Sequence, residues 1–86
     1  MSENRFMTED TVKVEIFFEE KVVSVYEGTG FTVVDEAIAA AWQAFPDHKY
    51  SIETYTFKVS DLSTGTSALY RFNAHGHPVL IPTFND

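Results

Sequence analysis

Residues 12–26 read VKVEIFFEEKVVSVY, and polar side chains alternate with apolar ones along the first half of this stretch. With a period of two, alternate apolar residues between Val12 and Phe18 share one side of an extended chain, which is typical of a half-buried strand. Glu19-Glu20 is a short polar break, and the valine-rich run to Tyr26 has the composition of a second strand. The stretch therefore predicts a β-hairpin, whose turn lacks the common Asn-Gly or Gly-Gly pair.

The hydrophobic period changes after the glycine-containing segment 27–30. Between Thr32 and Phe45 apolar residues recur every three or four positions, which predicts an amphipathic helix. Thr32 followed by Asp35 predicts a capping box at its start, and Pro46 ends it. The apolar stripe of this helix consists of Val34, Ala37, Ile38, Ala41, Trp42 and Phe45.

Three later segments have the composition of strands. They are residues 50–59, residues 66–72 after a loop at 61–65, and the short run 79–81 after a turn at 73–78. We predict an α+β fold in which one helix packs on one face of an antiparallel sheet of four or five strands. The order is β-β-α-β-β, with 79–81 as the fifth strand.

The chain has 86 residues and no cysteine, which excludes a disulfide framework, a thiolate nucleophile and a Cys-ligated zinc. Because a second core has no room, we expect residues 11–86 to form one domain and residues 1–10 to be a flexible lead-in. The start lacks the features of a secretory signal, and no run of 18 apolar residues occurs. We therefore expect a soluble, cytoplasmic protein.

The net charge is −7, and nine of the 13 acidic residues fall within the first 36 positions. The six lysines and arginines are scattered, whereas phosphate recognition needs clustered cations. Direct binding to nucleic acid is therefore disfavoured, and so is binding to an anionic membrane. We expect partners that are neutral, basic or another copy of the chain.

Self-association is expected because the predicted sheet has apolar residues on both faces, as with Phe17 beside Ile16 and Leu69 beside Tyr70. One helix covers only one of these faces. The outer face of the helix also carries a single charge among four side chains. We predict a homodimer with interface residues Glu36, Ala39, Ala40 and Gln43.

The sequence offers few candidates for catalysis. His75 and His77 flank Gly76 and could supply two metal ligands, but a third ligand is missing and the surrounding residues favour a surface turn. The serines and threonines lie in no nucleophile context, and we expect the carboxylates of Glu19-Glu20 to be solvated. We therefore expect no catalytic residue, metal or cofactor, and no enzymatic activity.

Gly28, Thr29 and Gly30 form the best candidate for a ligand site. They precede a predicted helix N-terminus, where free N–H groups and the helix dipole favour a carboxylate or phosphate. The motif lacks the third glycine of a dinucleotide fingerprint and the lysine of a P-loop. A turn that requires a glycine with positive φ explains the same residues, so both interpretations stay open.

Four segments carry a family resemblance: Glu27-Gly28-Thr29-Gly30, Val34-Asp35-Glu36-Ala37, Tyr55 and Gly65-Thr66-Ser67-Ala68. In order and spacing they resemble the C-terminal regulatory (dimerisation) domain of 2-isopropylmalate synthase and related citramalate synthases, over residues 12–80. The resemblance implies a free-standing domain that pairs with a second copy and binds a feedback amino acid at the mutual interface. By position, it assigns Gly28, Gly30, Asp35, Tyr55 and Ala68 to that site.

Two functions follow as hypotheses. The first is a non-enzymatic, homodimeric regulatory or binding module for a small ligand, such as a branched-chain amino acid at the dimer interface. The alternative is an acidic inhibitor or nucleic-acid mimic that binds a basic host protein, which the net charge of −7 favours. The alternative predicts salt-sensitive binding that is lost when Glu15, Glu19, Glu20 and Glu27 are neutralised.

Overall fold

The computed structural model describes residues 6–81, which form five strands and one α-helix. The elements are β1 (Val12–Phe18), β2 (Lys21–Gly28), α1 (Val34–Gln43), β3 (Thr56–Asp61), β4 (Thr66–Phe72) and β5 (Pro78–Ile81). The predicted α+β class, with an antiparallel sheet and one helix, is confirmed. The run after the last turn is a fifth strand.

The strands pair antiparallel in the spatial order β2-β1-β3-β4-β5. The helix follows the edge strand β2 and packs across β2, β1 and β3 on one side of the sheet. Alternation along the strands points one set of side chains toward this helix. The resulting core consists of Val12, Val14, Ile16, Tyr55, Phe57, Val59 and Tyr70 together with Val34, Ala37, Ile38 and Ala41.

The hairpin between β1 and β2 turns at Glu19 and Glu20, whose φ angles are 52° and 70°. Two successive residues with positive φ are what a type I′ turn requires. Its twist matches that of the strands, so the predicted hairpin forms. Glutamate is a poor residue for these positions because its Cβ crowds the backbone in the left-handed region.

The helix is shorter than predicted and begins differently. It spans Val34–Gln43 with Val33 as N-cap, so the predicted capping box of Thr32 and Asp35 is wrong. Glu36, three residues after the N-cap, accepts hydrogen bonds from the Thr32 backbone N–H (2.8 Å) and hydroxyl (3.2 Å). Its longer side chain reaches back over the first turn. Within residues 6–81, no helix has the length and apolar character needed to cross a bilayer.

The predicted strand over residues 50–59 is half wrong, because β3 begins only at Thr56 and Ile52–Thr54 form a 3-10 turn. An extended chain would point Tyr50 and Tyr55 to opposite sides. The 3-10 turn interrupts the alternation of side chains, so the Tyr50 and Tyr55 rings point to the same side and both pack on Phe18.

The chain before β1, residues 6–11, is called the strap here because it joins two loops across one end of the sheet. The Phe6 N–H donates to the Thr32 carbonyl and the Gly30 N–H to the Thr8 carbonyl, both at 2.9 Å. The Thr11 carbonyl accepts from the Leu62 N–H, also at 2.9 Å. The predicted lead-in covered residues 1–10, and its first five residues, like residues 82–86, lie outside the described range.

Candidate functional site

A cavity of about 630 Å³ lies between the strap, the start of α1 and the ends of β3 and β4. We call it the strap cavity. Apolar walls and two carboxyl groups give it a mixed chemistry. Its principal lining residues are Phe6, Met7, Asp10, Val34, Val59, Asp61, Ala68 and Tyr70.

Asp10 and Asp61 lie on the helix side of the sheet, with only 7% and 5% of their surfaces exposed. Their position follows from strand alternation, because Asp10 precedes Val12 by two residues and Asp61 follows Val59 by two. Val12 pairs with Asp61 across β1 and β3, which brings the two carboxyl groups to the same end of the sheet. This pair was not identified from the sequence. The continued period of two indicates that each residue faces the helix side of the sheet, and only the pairing of β1 with β3 brings them together.

The carboxyl groups of Asp10 and Asp61 line the same cavity, close enough for Asp10 to act on the pKa of Asp61. Burial raises the pKa of the Asp61 carboxyl, and the adjacent Asp10 carboxyl raises it further. Hydrogen bonds from the Ser63 and Thr64 backbone N–H groups to Asp61 Oδ1, at 2.9 and 3.4 Å, lower this pKa in part. Asp10 Oδ2 accepts from the Met7 N–H at 3.2 Å. The pKa of Asp61 is therefore raised above its ordinary value, and in the protonated form its carboxyl can donate to Asp10.

Tyr70 forms the wall of the cavity on β4 and is buried. Burial raises the pKa of its phenol, and the negative charge of Asp35 at the start of α1 adds to that rise. The phenol therefore stays neutral at physiological pH and can donate or accept a hydrogen bond.

The structure brings some of the predicted ligand residues to this cavity and leaves others apart. Ala68 lines it, and Gly30, with φ +90°, holds the strap through its N–H. Thr29 is exposed beside Gly30, whereas Gly28 packs under Tyr26.

Asp35 and Tyr55 lie outside the strap cavity. Asp35 is exposed and lines a separate groove of about 300 Å³ between α1 and β4–β5. Tyr55 is 3% exposed and packs on Trp42 and Phe45 at the opposite end of α1. Its hydroxyl accepts hydrogen bonds from the Lys49 and Tyr50 N–H groups, at 3.2 and 3.3 Å.

The predicted interface residues lie on the outer side of α1. Glu36, Ala39 and Gln43 are exposed, and Ala40 is half-buried. Ala39 and Gln43 face the groove that Asp35 lines, whereas the Glu36 carboxylate already bonds to Thr32. A helix N-terminus whose preceding N–H bonds to the chain's own carboxylate is a weaker site for an external one.

The His75 and His77 pair lies in the exposed turn between β4 and β5. The side chain of Asn73 accepts hydrogen bonds from both histidine backbone N–H groups, at 2.9 and 3.1 Å, and Gly76 has φ +82°. The backbone hydrogen bonds to Asn73 and the positive φ of Gly76 account for the sequence of this turn without a role for the histidine rings. Within residues 6–81, no group of three or more histidine or acidic side chains is placed to hold a metal ion.

The side of the sheet opposite α1 is called the open face. Pairing places the charged residues Lys13, Glu15, Glu27, Lys58 and Arg71 on it. Glu15 pairs directly with Lys58 in the middle of the face. The apolar residues on the same face are Phe17, Val22, Val25, Leu69, Val79 and Ile81.

No protein-family profile matches the chain, and no curated protein or solved structure is significantly similar to it. The resemblance to the regulatory domain of 2-isopropylmalate synthase therefore stays a prediction based on the motifs quoted above.

Proposed function

We propose that this protein is a non-enzymatic binding module that forms a homodimer through the open face and binds a small ligand in the strap cavity. The open face is the observation that carries the proposal. It presents six apolar side chains, of which Val22, Val25 and Val79 are 47%, 53% and 46% exposed. Exposed apolar side chains gathered on one face of a small sheet favour an interface.

The charge distribution favours a second copy of the chain as the occupant of this face. The strands of the open face carry three cations, Lys13, Lys58 and Arg71, and two carboxylates, Glu15 and Glu27, and Glu20 of the hairpin turn lines a groove on the same face. Elsewhere in the described chain the exposed surface carries two lysines and six acidic residues: Glu9, Glu19, Asp35, Glu36, Asp47 and Glu53. Two copies therefore repel each other least when their open faces meet.

The size of the face is also sufficient. Five strands spaced about 4.8 Å apart and about six residues long give roughly 500 Å² per copy. Two copies would bury about 1,000 Å², which is the lower limit of specific protein interfaces.

The strap cavity supports the ligand part of the proposal. Its carboxyl pair can accept an ammonium group, and the side chains of Phe6, Val34 and Val59 suit an aliphatic chain. A branched-chain amino acid has both parts. The cavity opens on the helix side of the sheet, and on β4 Ser67 and Ala68 line both this cavity and a groove of the open face.

Adjacent residues of β5 provide a matched test of pairing. Val79 lies opposite Arg71 on the open face, and Leu80 lies opposite Tyr70 on the helix side. In the monomer a glutamate at 79 is solvated beside Arg71, but in the dimer it would be buried. We expect light scattering to show a dimer that Val79→Glu weakens by about tenfold or more and Leu80→Glu leaves intact. A chain that stays monomeric at high concentration would contradict the proposal.

Thermal unfolding in the presence of leucine, isoleucine or valine tests the ligand. We expect a rise in the midpoint because a ligand that binds only the folded state stabilises it. Ala68→Leu, which fills part of the cavity, should remove this rise, whereas Ala44→Leu at the exposed end of α1 should retain it. An unchanged midpoint with all three amino acids would reject this ligand class.

One observation favours the alternative, an acidic inhibitor of a basic protein. Glu19 and Glu20 lie at the tip of the hairpin with φ angles that disfavour glutamate. Folding alone does not explain two carboxylates at this position. Capture of a basic protein that is lost in high salt, by a chain that remains monomeric, would favour the inhibitor over the homodimeric module.

A further inference from the structure

The strap closes one side of the strap cavity and is connected to two neighbouring loops. The Phe6 and Gly30 N–H bonds join it to the loop before α1, and the Leu62 N–H bond joins it to the loop after β3. The Asp10 N–H donates to the Met7 carbonyl at 2.9 Å, which folds the middle of the strap into a turn. This turn places Asp10 in the wall of the strap cavity, which Asp61 also lines.

A proton favours the approach of Asp10 to Asp61. Two buried carboxyl groups in hydrogen-bond contact form a favourable pair only when one is protonated and donates to the other. Asp61 Oδ1 accepts from two backbone N–H groups, so its other oxygen is the one available to carry the proton toward Asp10. When that proton leaves for solvent, the charge of Asp61 lies beside the Asp10 carboxyl at a position where only 5% of the Asp61 surface is exposed.

We propose that the strap is a proton-controlled latch, closed while Asp10 and Asp61 share one proton and released from the sheet when that proton is lost. Movement of the strap returns Asp10 to water and relieves the repulsion. It also opens the strap cavity on the side formed by Phe6 and Met7. The latch depends on the contacts of the strap itself, so it goes beyond the proposed function and does not require a ligand.

The direction of the pH dependence follows from the pKa of Asp61, which is raised above its ordinary value of 3.8. The closed strap binds a proton more tightly than the open one, so closure is favoured most at acidic pH. Closure becomes less favourable as the pH rises from 3.8 through the raised pKa. Above the raised pKa of Asp61 the free-energy cost of closing the strap no longer changes with pH.

Other titratable groups near the pair are few. The strap carries Glu9, which is exposed, and β4 contributes the phenol of Tyr70 to the same cavity. Asp35 at the start of α1 acts on Tyr70. The pKa of Asp61 is raised first by its own burial and then by the adjacent Asp10 carboxyl.

Amide hydrogen exchange of the full chain between about pH 3.5 and pH 7.5 tests the latch. The Phe6, Gly30 and Leu62 amides report the strap, and the Thr54 amide, bonded to the Ser51 carbonyl at 2.9 Å, reports the distant 3-10 turn. After correction for intrinsic rates, we expect protection of the strap amides to fall by up to about tenfold per pH unit within this window. Protection of Thr54 should stay constant.

Asp61→Asn mimics the protonated carboxyl at every pH and should keep the strap closed. The amide Nδ2 can donate to Asp10 while Oδ1 keeps its two backbone hydrogen bonds. The strap amides of this variant should stay protected from pH 4.5 upward, where the Glu36 carboxylate that bonds to Thr32 is ionised, and Asp10→Asn should behave in the same way if Asp61→Asn does not fold. Glu9→Gln, which removes one exposed strap carboxylate, should retain the pH dependence. The latch is refuted if strap protection in the unchanged chain does not depend on pH, or if Thr54 loses protection in parallel.

Discussion

The phenol ring of Tyr50 stacks on the phenyl ring of Phe18, with 4.9 Å between the ring centroids and 7° between the ring planes. Phe18 ends β1, and Tyr50 belongs to the segment that connects α1 to β3. The contact fastens this connection to the hairpin end of the sheet, next to the Tyr55 and Trp42 rings.

Loss of this stack should destabilise the fold moderately. We expect Tyr50→Ala to lower the free energy of unfolding by about 0.5–1.5 kcal/mol, the usual contribution of an aromatic pair. Tyr50→Phe keeps the ring and serves as the control. Urea unfolding measures both, and an alanine variant as stable as the phenylalanine variant would show that the stack contributes nothing.

The variant Tyr55→Phe distinguishes a structural role of the Tyr55 hydroxyl from the ligand-binding role that the family resemblance implies. The variant removes the acceptor of the Lys49 and Tyr50 N–H groups, which water can replace because both residues are exposed, so the loss should be about 0.5–1.5 kcal/mol. Because Tyr55 packs at the far end of α1, the ligand-induced rise in melting midpoint should be unchanged. A stable variant that no longer responds to amino acids would instead place Tyr55 in the ligand site.

Periodicity predicted most of the fold because both faces of the sheet follow the period of two and the helix follows that of 3.6. The failures have local physical causes. Residues 50–55 alternate like a strand, but aromatic packing on Phe18 and Trp42 favours a 3-10 turn. At the start of α1, the longer Glu36 side chain reaches Thr32 in place of Asp35.

The site was harder to predict than the fold. Its carboxyl pair joins Asp10 and Asp61, whose proximity depends on the pairing of β1 with β3. Alternation indicates that each faces the core, but no local pattern shows that they meet. The glycine loop was recognised, and its role as an attachment point for the strap becomes visible only with the Gly30–Thr8 bond.

The two glycines of this loop should respond differently to alanine. Gly30 has φ +90°, so Gly30→Ala should lower the free energy of unfolding by about 1–2 kcal/mol even though the added methyl group meets no atom within 4 Å. Gly28→Ala meets the Tyr26 ring at 3.1–3.2 Å, where a side chain can shift, and should cost less. Urea unfolding of both variants decides the order, and a larger loss for Gly28→Ala would contradict the backbone explanation.

Glu36 should stabilise the start of α1 only while it is ionised. Its hydrogen bond from the Thr32 backbone N–H, followed by that from the Thr32 hydroxyl, lowers the pKa of the carboxyl below 4.5. The stabilisation is therefore complete above this value and disappears as the pH falls through the lowered pKa. Glu36→Gln should be less stable than the unchanged chain at neutral pH, and the difference should shrink in acid. Unfolding curves at several pH values measure it, with Glu53→Gln as the control for loss of one exposed carboxylate.

Replacement of the hairpin tip tests both its strain and the alternative function. Asparagine and glycine adopt the positive φ angles of a type I′ turn, so the double variant Glu19→Asn, Glu20→Gly should be more stable by about 1–2 kcal/mol. It also removes two carboxylates, as does the control Asp47→Asn, Glu53→Gln, in which the turn is unchanged. If the chain acts as an acidic inhibitor through its hairpin tip, the first variant should bind a basic partner more weakly despite its greater stability, and the control should bind normally. Equal weakening in both variants would indicate an effect of net charge alone, and no weakening in either would exclude these carboxylates from the interface.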